Sequence, residues 1–595
     1  MESLLERMCI EAATESAAAV EKWRRQRRTL ERMPSHLAEA LLRHLLRRRL
    51  LFPSLLEVFK YSVEEIDLRG ESCVDAEWMA YLGAFRYLRS IILADCNRIN
   101  NSALWSITGM ANLKEVDLSR CSKITDAGIR HLLSVPALEK LCISQTGVTA
   151  DGIAGLASLT NLFMLDLGGL PVTDSALSSL QGLLGLSLLM DLKLCSQKVE
   201  TFRPLGSEIS NEGAVLLKTF PSLSSLNLAW TNVTNLPNLS SLAYLNMSNC
   251  TIHSLFEGEG HKACMEKLVL SGATITNVSE AFQYVETSKL CFLDLSSSSL
   301  QSFSFLRSMN ALTNLNLSDS AVVDNSVEHI AYIGANLRYL NLSSTKVTSE
   351  GIGALAGHVP NLEIVLLSGT PIDDTAVSYI SVMPSLKAIN LSKTNVKGLI
   401  HQESDVSDDV PTFAALQNLS HLERLDLEEI HIKDAALHPL TNLGRLSYLS
   451  LRSISLTDAS LYHVSSAPKL VYLGIRDAVL TDSGLNCFIP PPTLEVLDLR
   501  GCWLLTKDAL VLFSHKHPQI EIRHELVETL DKRNFQYSSP SRVTTKNSQH
   551  KRKQDKSSTS PLRSDEIFLG SKQLNAPIAD ATFVPCASLE IVDYV

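Results

Sequence analysis

The feature that most constrains this chain is the spacing of its leucines. Between Leu68 and Leu499 the pattern LxxLxLxx, followed by Cys, Thr, Ser or Ala, recurs along the sequence. Its strand cores end at Leu68, Leu93, Leu118, Ile143, Leu167, Leu194, Leu228, Met247, Leu270, Leu295, Leu317, Leu342, Leu367, Leu391, Leu427, Leu451, Ile475 and Leu499, eighteen copies with a usual step of 22 to 27 residues. Ile520 and Ile522 offer one more, atypical strand. A four-helix or doubly wound α/β arrangement needs a different apolar period, so both are excluded. A unit this short cannot bury its apolar face alone and is stable only when stacked on its neighbours.

The copy ANLKEVDLSRCSKITDAGI, residues 111 to 129, shows how the unit works. Leu113, Val116 and Leu118 point inward from a short strand while Asp117 points out. Cys121 turns into the core and Ile124 packs beneath the turn. Thr125 or Asp126 can accept backbone N–H bonds at a helix start, and Gly128 lets that start lie close to its neighbour. The same Thr/Asp signal recurs at Thr173-Asp174, Asp373-Asp374, Thr457-Asp458 and Thr481-Asp482. Each copy is therefore expected to be a strand plus a helix.

This unit resembles the cysteine-containing class of leucine-rich repeats, found in leucine-rich-repeat F-box proteins and their ribonuclease-inhibitor-like relatives. The resemblance covers residues 61 to about 525 and implies an α/β horseshoe solenoid with a parallel inner sheet and outer helices. It departs from the pattern at Thr231, Ser298, Ser320, Thr345, Thr370 and Thr394, which replace Cys. A small hydroxyl can satisfy a local backbone group, so the geometry should survive. Two steps are long, Leu194 to Leu228 and Leu391 to Leu427, placing insertions near 196–222 and 398–415. The second, HQESDVSDDVPT at 401–412, reads as a solvated loop or as an acidic lip for a basic partner.

The ends differ from the repeats. Residues 1–60 read as two or three helices, the first with Leu4, Leu5, Met8, Cys9 and Ala12 or Ala13 at helical spacing, another starting near Pro34 and Ser35. One reading is a cap over the first strand. The other is a resemblance: Leu5, Cys9 and Ala13 match the spacing of the elongin-binding box. With Pro34, Leu37 and Leu41 following just before the repeats, the order looks like the zyg-eleven family of substrate receptors for elongin-cullin ubiquitin ligases, and residues 34–59 are also similar to a degenerate F-box. That family places Ser or Thr before the box leucine, where this chain has Leu4, and adds armadillo-like repeats that are not seen after Leu499. Residues 530–595 are polar and read as a disordered tail, with His550-Lys551-Arg552-Lys553 a candidate nuclear-import patch and Ser539-Pro540 and Ser560-Pro561 candidate phosphorylation sites.

Composition supports the same picture. The chain is 45% hydrophobic but only 6% aromatic, as an aliphatic unit repeated many times would be. Its formal charge of -10 is concentrated in the middle, because residues 1–60 hold twelve Lys/Arg against eight Asp/Glu and residues 530–595 ten against seven. Early acidic residues, unpaired cysteine spacing and short apolar runs point to a cytoplasmic, candidate nuclear protein with no membrane partner. The Asn-x-Ser/Thr sequons at Asn316 and Asn341 fall inside the repeat signature and read as accidental.

No phosphate-binding loop, HExxH helix, GxSxG elbow or dinucleotide fingerprint occurs. No catalytic residue, metal or cofactor is expected. The cysteines at the repeat position, among them Cys96, Cys121, Cys250 and Cys502, are small core residues, and no histidine has metal-ligand spacing. What remains is the concave face, read at the x of LxL: Asp67, Asp117, Asp166, Asn227, Asn246, Asp294, Asn316, Asn341, Asn390, Asp426 and Asp498. These residues are either a property of the repeat or a partner-binding stripe whose charge favours a basic protein and disfavours nucleic acid. The function expected is protein binding as substrate-recognition subunit of a cullin-type ligase, with an elongin- or Skp-type adaptor. The alternative is a ligase-independent scaffold whose first helices only cap the repeats.

Overall fold

In most repeats the middle strand residue is buried between two that face out: Val116 is buried between Glu115 and Asp117, Leu340 between Tyr339 and Asn341. That alternation commits one side of every strand to the interior. The computed structural model describes residues 4–25, 33–181, 189–195, 207–257, 262–400 and 410–527. In it the strands pair in parallel, each with the next repeat, as a 19-stranded sheet running from Glu65–Asp67 to Glu521–Arg523. The eighteen expected strand positions are all occupied, and the last strand forms around Ile522. The inward leucines, isoleucines and valines make one continuous apolar cluster from the N-terminal helices to Ile520.

The outer side is less uniform than one helix per repeat. Helices form at Asp126–Leu132, Asp324–Ala331, Asp374–Ile380 and Asp458–Val464. Three-residue-per-turn helix replaces them at Asn101–Ile107, Thr412–Asn418 and Asp434–Asn442. The expectation of a helix in every copy fails between Leu228 and Leu270. There the outer side is made of two-residue strands: Leu236–Pro237 pairs with Phe256–Glu257, and Thr251–Ile252 with Thr274–Ile275. In the first of these two repeats the step from Leu228 to Met247 is too short for the chain to descend, turn through a helix and return.

Three hydrogen-bond ladders recur along the array and join repeats to their neighbours, none of them at every junction. In the first, Cys96, Cys121, Cys250 and Cys502 donate to the carbonyls of Leu68, Leu93, Leu228 and Ile475 of the preceding repeat. Where a hydroxyl takes that place the bond is local. Thr345, Thr370 and Thr394 donate to Leu342, Leu367 and Leu391 of their own repeat at 2.6 to 2.7 Å. Ser298 is the exception, with a buried hydroxyl that has no partner among the described residues.

In the second ladder, the acidic residue opening one helix clamps the residue capping the next. Asp126 accepts from the N–H and hydroxyl of Thr149, Asp324 from Thr348, Asp434 from Thr457, Asp458 from Thr481 and Asp482 from Thr506. Gly152, Gly213, Gly351 and Gly484 stand where these carboxylates or their equivalents arrive, too close for any Cβ. The third ladder joins the turns after the strands, where Arg120 donates its backbone N–H to Ser144, Trp230 to Ser248 and Lys393 to Glu428.

At the N-terminus, α1 (Leu4–Ala13), α2 (Ala17–Arg24) and α3 (Ser35–Arg47) precede the first strand. α3 buries Ala38, Leu41, Leu42 and Leu45, and Glu39 accepts from the backbone of Glu64 beside the first strand. Trp23 Nε1 donates to Ala13 and Arg48 Nη1 to Thr14, which fastens α1 to the rest. The acidic stretch at 401–409, residues 196–206 of the first insertion and the tail, with its basic patch and Ser-Pro pairs, lie outside the described residues. Leu399–Ile400 and Val410–Pro411 flank the acidic stretch as a short antiparallel pair.

Candidate interaction face

The eleven Asp and Asn residues at the centre of the open sheet face have one geometric role in common. Each uses a side-chain oxygen to accept the backbone N–H two residues on. Asp117 takes it from Ser119 at 2.9 Å, Asn227 from Ala229 at 3.0 Å and Asn341 from Ser343 at 3.0 Å. Asp67, Asp166, Asn246, Asp294, Asn316, Asn390, Asp426 and Asp498 do the same. This side-chain turn bends the chain off the strand. The residue three places after the Asp or Asn then adopts positive φ, as at Arg120 (62°), Trp230 (63°), Asn249 (57°) and Lys393 (57°). Asp and Asn are thus a building requirement here, and half of each polar group is already used.

The other half faces out, and it changes along the sheet. Asp67, Asp117 and Asp294 retain a second carboxylate oxygen, while that of Asp166 pairs with Lys193 at 3.4 Å. Asn227, Asn246, Asn316, Asn341 and Asn390 retain an amide Nδ2 that donates to no group among the described residues and is not sealed from solvent. The stripe is therefore acceptor-rich in the first repeats and donor-rich in the middle. Beside it, at the first strand position, stand Tyr244, Lys267, Phe292 and Tyr339. Lys267 Nζ lies over both neighbouring rings, 5.3 Å from Tyr244 and 4.4 Å from Phe292, and burial there lowers its pKa.

Two members of the stripe are not exposed. Asp426 is 4% exposed and Asp498 fully buried, so neither presents a carboxylate to a partner as expected from the sequence. The cause is a layer of larger side chains. Arg424 stacks over Tyr448 at 3.8 Å, Tyr448 stacks on Tyr472 at 4.3 Å, and Tyr472 donates to Asp498 at 3.2 Å. Arg500 holds Asp498 through two nitrogens and keeps its pKa low against burial, while burial pushes Asp426 up to about 6. Arg476 pairs with Glu428, and Arg452 with Glu429 and Asp477, so this end of the face is charged but internally paired.

The N-terminal candidates also divide. Leu5 and Met8 are exposed on α1, as are Cys9 and Ala12, whereas Ile10 and Thr14 face the interior. Pro34 is exposed, and Ala13 and Leu37 are half-buried. Leu41 is buried in the core of α3 and is unavailable for docking, contrary to the sequence reading, because it packs under the first repeat.

Among the described residues no group of three or more His, Cys, Asp or Glu comes together to hold a metal. No helix there is long and apolar enough to cross a membrane. Burial raises the thiols of Cys96, Cys121 and Cys502 to about 12, 11 and 12.

The leucine-rich-repeat family model matches residues 109–133 and 335–356. No curated protein sequence matches the chain. Similar solved structures include an internalin from Listeria monocytogenes, 17% identical over 71% of this chain and 93% of the internalin, with a TM-score of 0.34. The leucine-rich-repeat ectodomain of the plant receptor kinase GASSHO1/SCHENGEN3 from Arabidopsis thaliana is 14% identical over 80% of this chain and 57% of its own length, TM-score 0.33. A leucine-rich-repeat protein from Bacteroides thetaiotaomicron is 13% identical over 69% and 51%, TM-score 0.38. The chain thus carries leucine-rich repeats at the two matched places, within a regular strand array that has the leucine-rich-repeat solenoid fold.

Proposed function

We propose that the chain is a protein-binding solenoid that serves as substrate-recognition subunit of a cullin-type ubiquitin ligase. In this reading the open sheet face holds the target, and α1 with the start of α3 docks an elongin- or Skp-type adaptor. The observation that carries it is the placement of Leu5, which is 71% exposed, and of Cys9, exposed one turn on. Residues that served only to cap the repeats would be turned inward, as Ile10 and Leu41 are. An apolar helix face held outward by a folded base is the form in which helices dock into partner grooves. The box spacing of Leu5, Cys9 and Ala13 supports the same assignment.

The second reading, a ligase-independent scaffold, is favoured by α3, whose buried leucines cover the first repeat as a cap must. Co-purification of the full chain with elongin C and with Skp-type adaptors separates the two. Retention of an adaptor by the wild type, lost in Leu5→Ala plus Cys9→Ala, supports the ligase reading. Failure of the wild type to retain any adaptor leaves the scaffold.

A further inference from the structure

The asparagines of the open face are not equivalent. Asn246, Asn316 and Asn390 each accept two hydrogen bonds on the same Oδ1, from the backbone N–H and from the hydroxyl of the serine two residues on. The pairs of distances are 2.9 and 2.7 Å for Ser248, 3.2 and 3.0 Å for Ser318, and 2.9 and 2.6 Å for Ser392. Asn227, followed by Ala229, and Asn341, followed by Ser343, accept only the backbone bond. Two donors on one oxygen fix the amide plane, so each Nδ2 is aimed away from the turn with both hydrogens unused.

The three locked amides are evenly placed. In the sheet order Asn246 pairs with Val269, Val269 with Asp294 and Asp294 with Asn316, three steps. From Asn316 the register runs through Asn341 and Leu366 to Asn390, again three steps. Strands lie about 4.8 Å apart, so the interval is roughly 14 Å. Four residues of an extended chain rise about 13.5 Å. A polypeptide running across the strands would therefore bring a carbonyl of the same orientation to each amide at every fourth residue.

We propose that this face binds an extended, unfolded segment of another protein through its main chain, with the amides of Asn246, Asn316 and Asn390 donating to carbonyls at positions i, i+4 and i+8. The inference rests on the open face being a protein-binding surface and adds what it binds. Fixed donors matched to a backbone repeat select for an extended conformation, because a helix or a folded surface satisfies its own carbonyls. Tyr244, Phe292 and Tyr339 stand beside the row and provide apolar contact for the segment's side chains without reading its sequence closely.

The test uses substitutions that the fold already accepts. Asn246→Asp, Asn316→Asp and Asn390→Asp keep the oxygen that makes the turn, as Asp117 and Asp294 do naturally, and replace each donor by an acceptor. A library of linear twelve-residue peptides displayed on phage is selected against the full chain, and the affinity of the selected peptides is measured by fluorescence polarisation. The expected result is binding by the wild type and a loss of about fivefold or more per substitution, with unchanged circular dichroism. A blocking variant, Ser343→Trp, is expected to abolish the same binding.

Peptides that bind the triple variant as tightly as the wild type, yet are lost in Ser343→Trp, would overturn the amide assignment and leave the face as a binding surface. Peptides unaffected by either change overturn both. A library that yields no binder to the wild type overturns the extended-segment proposal, while adaptor co-purification still reports on the ligase reading.

Discussion

The carboxylate of Asp126 grips Thr149 of the next repeat by two atoms at once, its backbone N–H at 2.8 Å and its hydroxyl at 2.7 Å. Gly152 lies against the same carboxylate, so a methyl group there has no room. Gly152→Ala is expected to cost about 1 to 3 kcal/mol, by displacing Asp126 and straining the helix start. Chemical denaturation of the single and double variants checks it. Because the two changes act on one clamp, Gly152→Ala combined with Asp126→Ala should cost clearly less than the sum of the singles, and additivity would refute the coupling.

Asp426 provides a pH dependence. Its carboxyl is raised from 3.8 to about 6 by burial, so the folded chain holds the proton more tightly than the unfolded one. Stability contributed by the protonated form is fully present below about pH 4 and is lost as pH rises through 6. Asp426→Asn keeps the turn to Glu428 and removes the penalty. It is expected to raise stability at pH 7 by up to about 3 kcal/mol and to leave it unchanged near pH 4. Urea titrations at the two pH values distinguish this from a general stabilisation, which would appear at both.

The cysteines should divide sharply by reactivity. Cys96, Cys121 and Cys502 combine burial with thiols raised to about 11 or 12, whereas Cys9, Cys73, Cys264 and Cys487 are exposed. Alkylation of the native chain at pH 8, mapped by mass spectrometry, is expected to mark the exposed group and spare the buried one until denaturant is added. Labelling of Cys121 at the rate of Cys9 under native conditions would contradict the packed repeat turn.

The strands were readable because each repeat's leucine spacing fixes which residues face inward, and no side chain has to be identified to see it. Asp117 and Asn341 were readable as outward-facing, but not as half-consumed. Turn-forming and ligand-binding residues are the same types at the same place, and only the N–H two residues on separates the roles. The positive φ three residues later was only partly signalled: Gly169, Gly272, Gly369, Asn249 and Asp319 are residue types that favour it, while Arg120, Trp230 and Lys393 are not. Asp426 and Asp498 were misplaced for a related reason. Their burial comes with the stacked rings of Tyr448 and Tyr472, which stand on neighbouring strands about a repeat away in sequence, and with Arg424 on Asp426's own strand. The acidic clamp was half visible: Thr125 and Asp126 were identified as a helix start, while the partner of Asp126 lay a full repeat ahead.

The carboxylate clamps also say where the array would part under load. An array of this kind is held only by bonds between neighbours, so its strength is that of its poorest junction. Among the described residues, the longest run of junctions without a clamp lies between Thr234, held by Asn211, and Asp324, which grips Thr348. Pulled from its two ends, the array is expected to open first across residues 235–323, where the sheet and the two-residue outer strands, rather than carboxylate clamps, join neighbours.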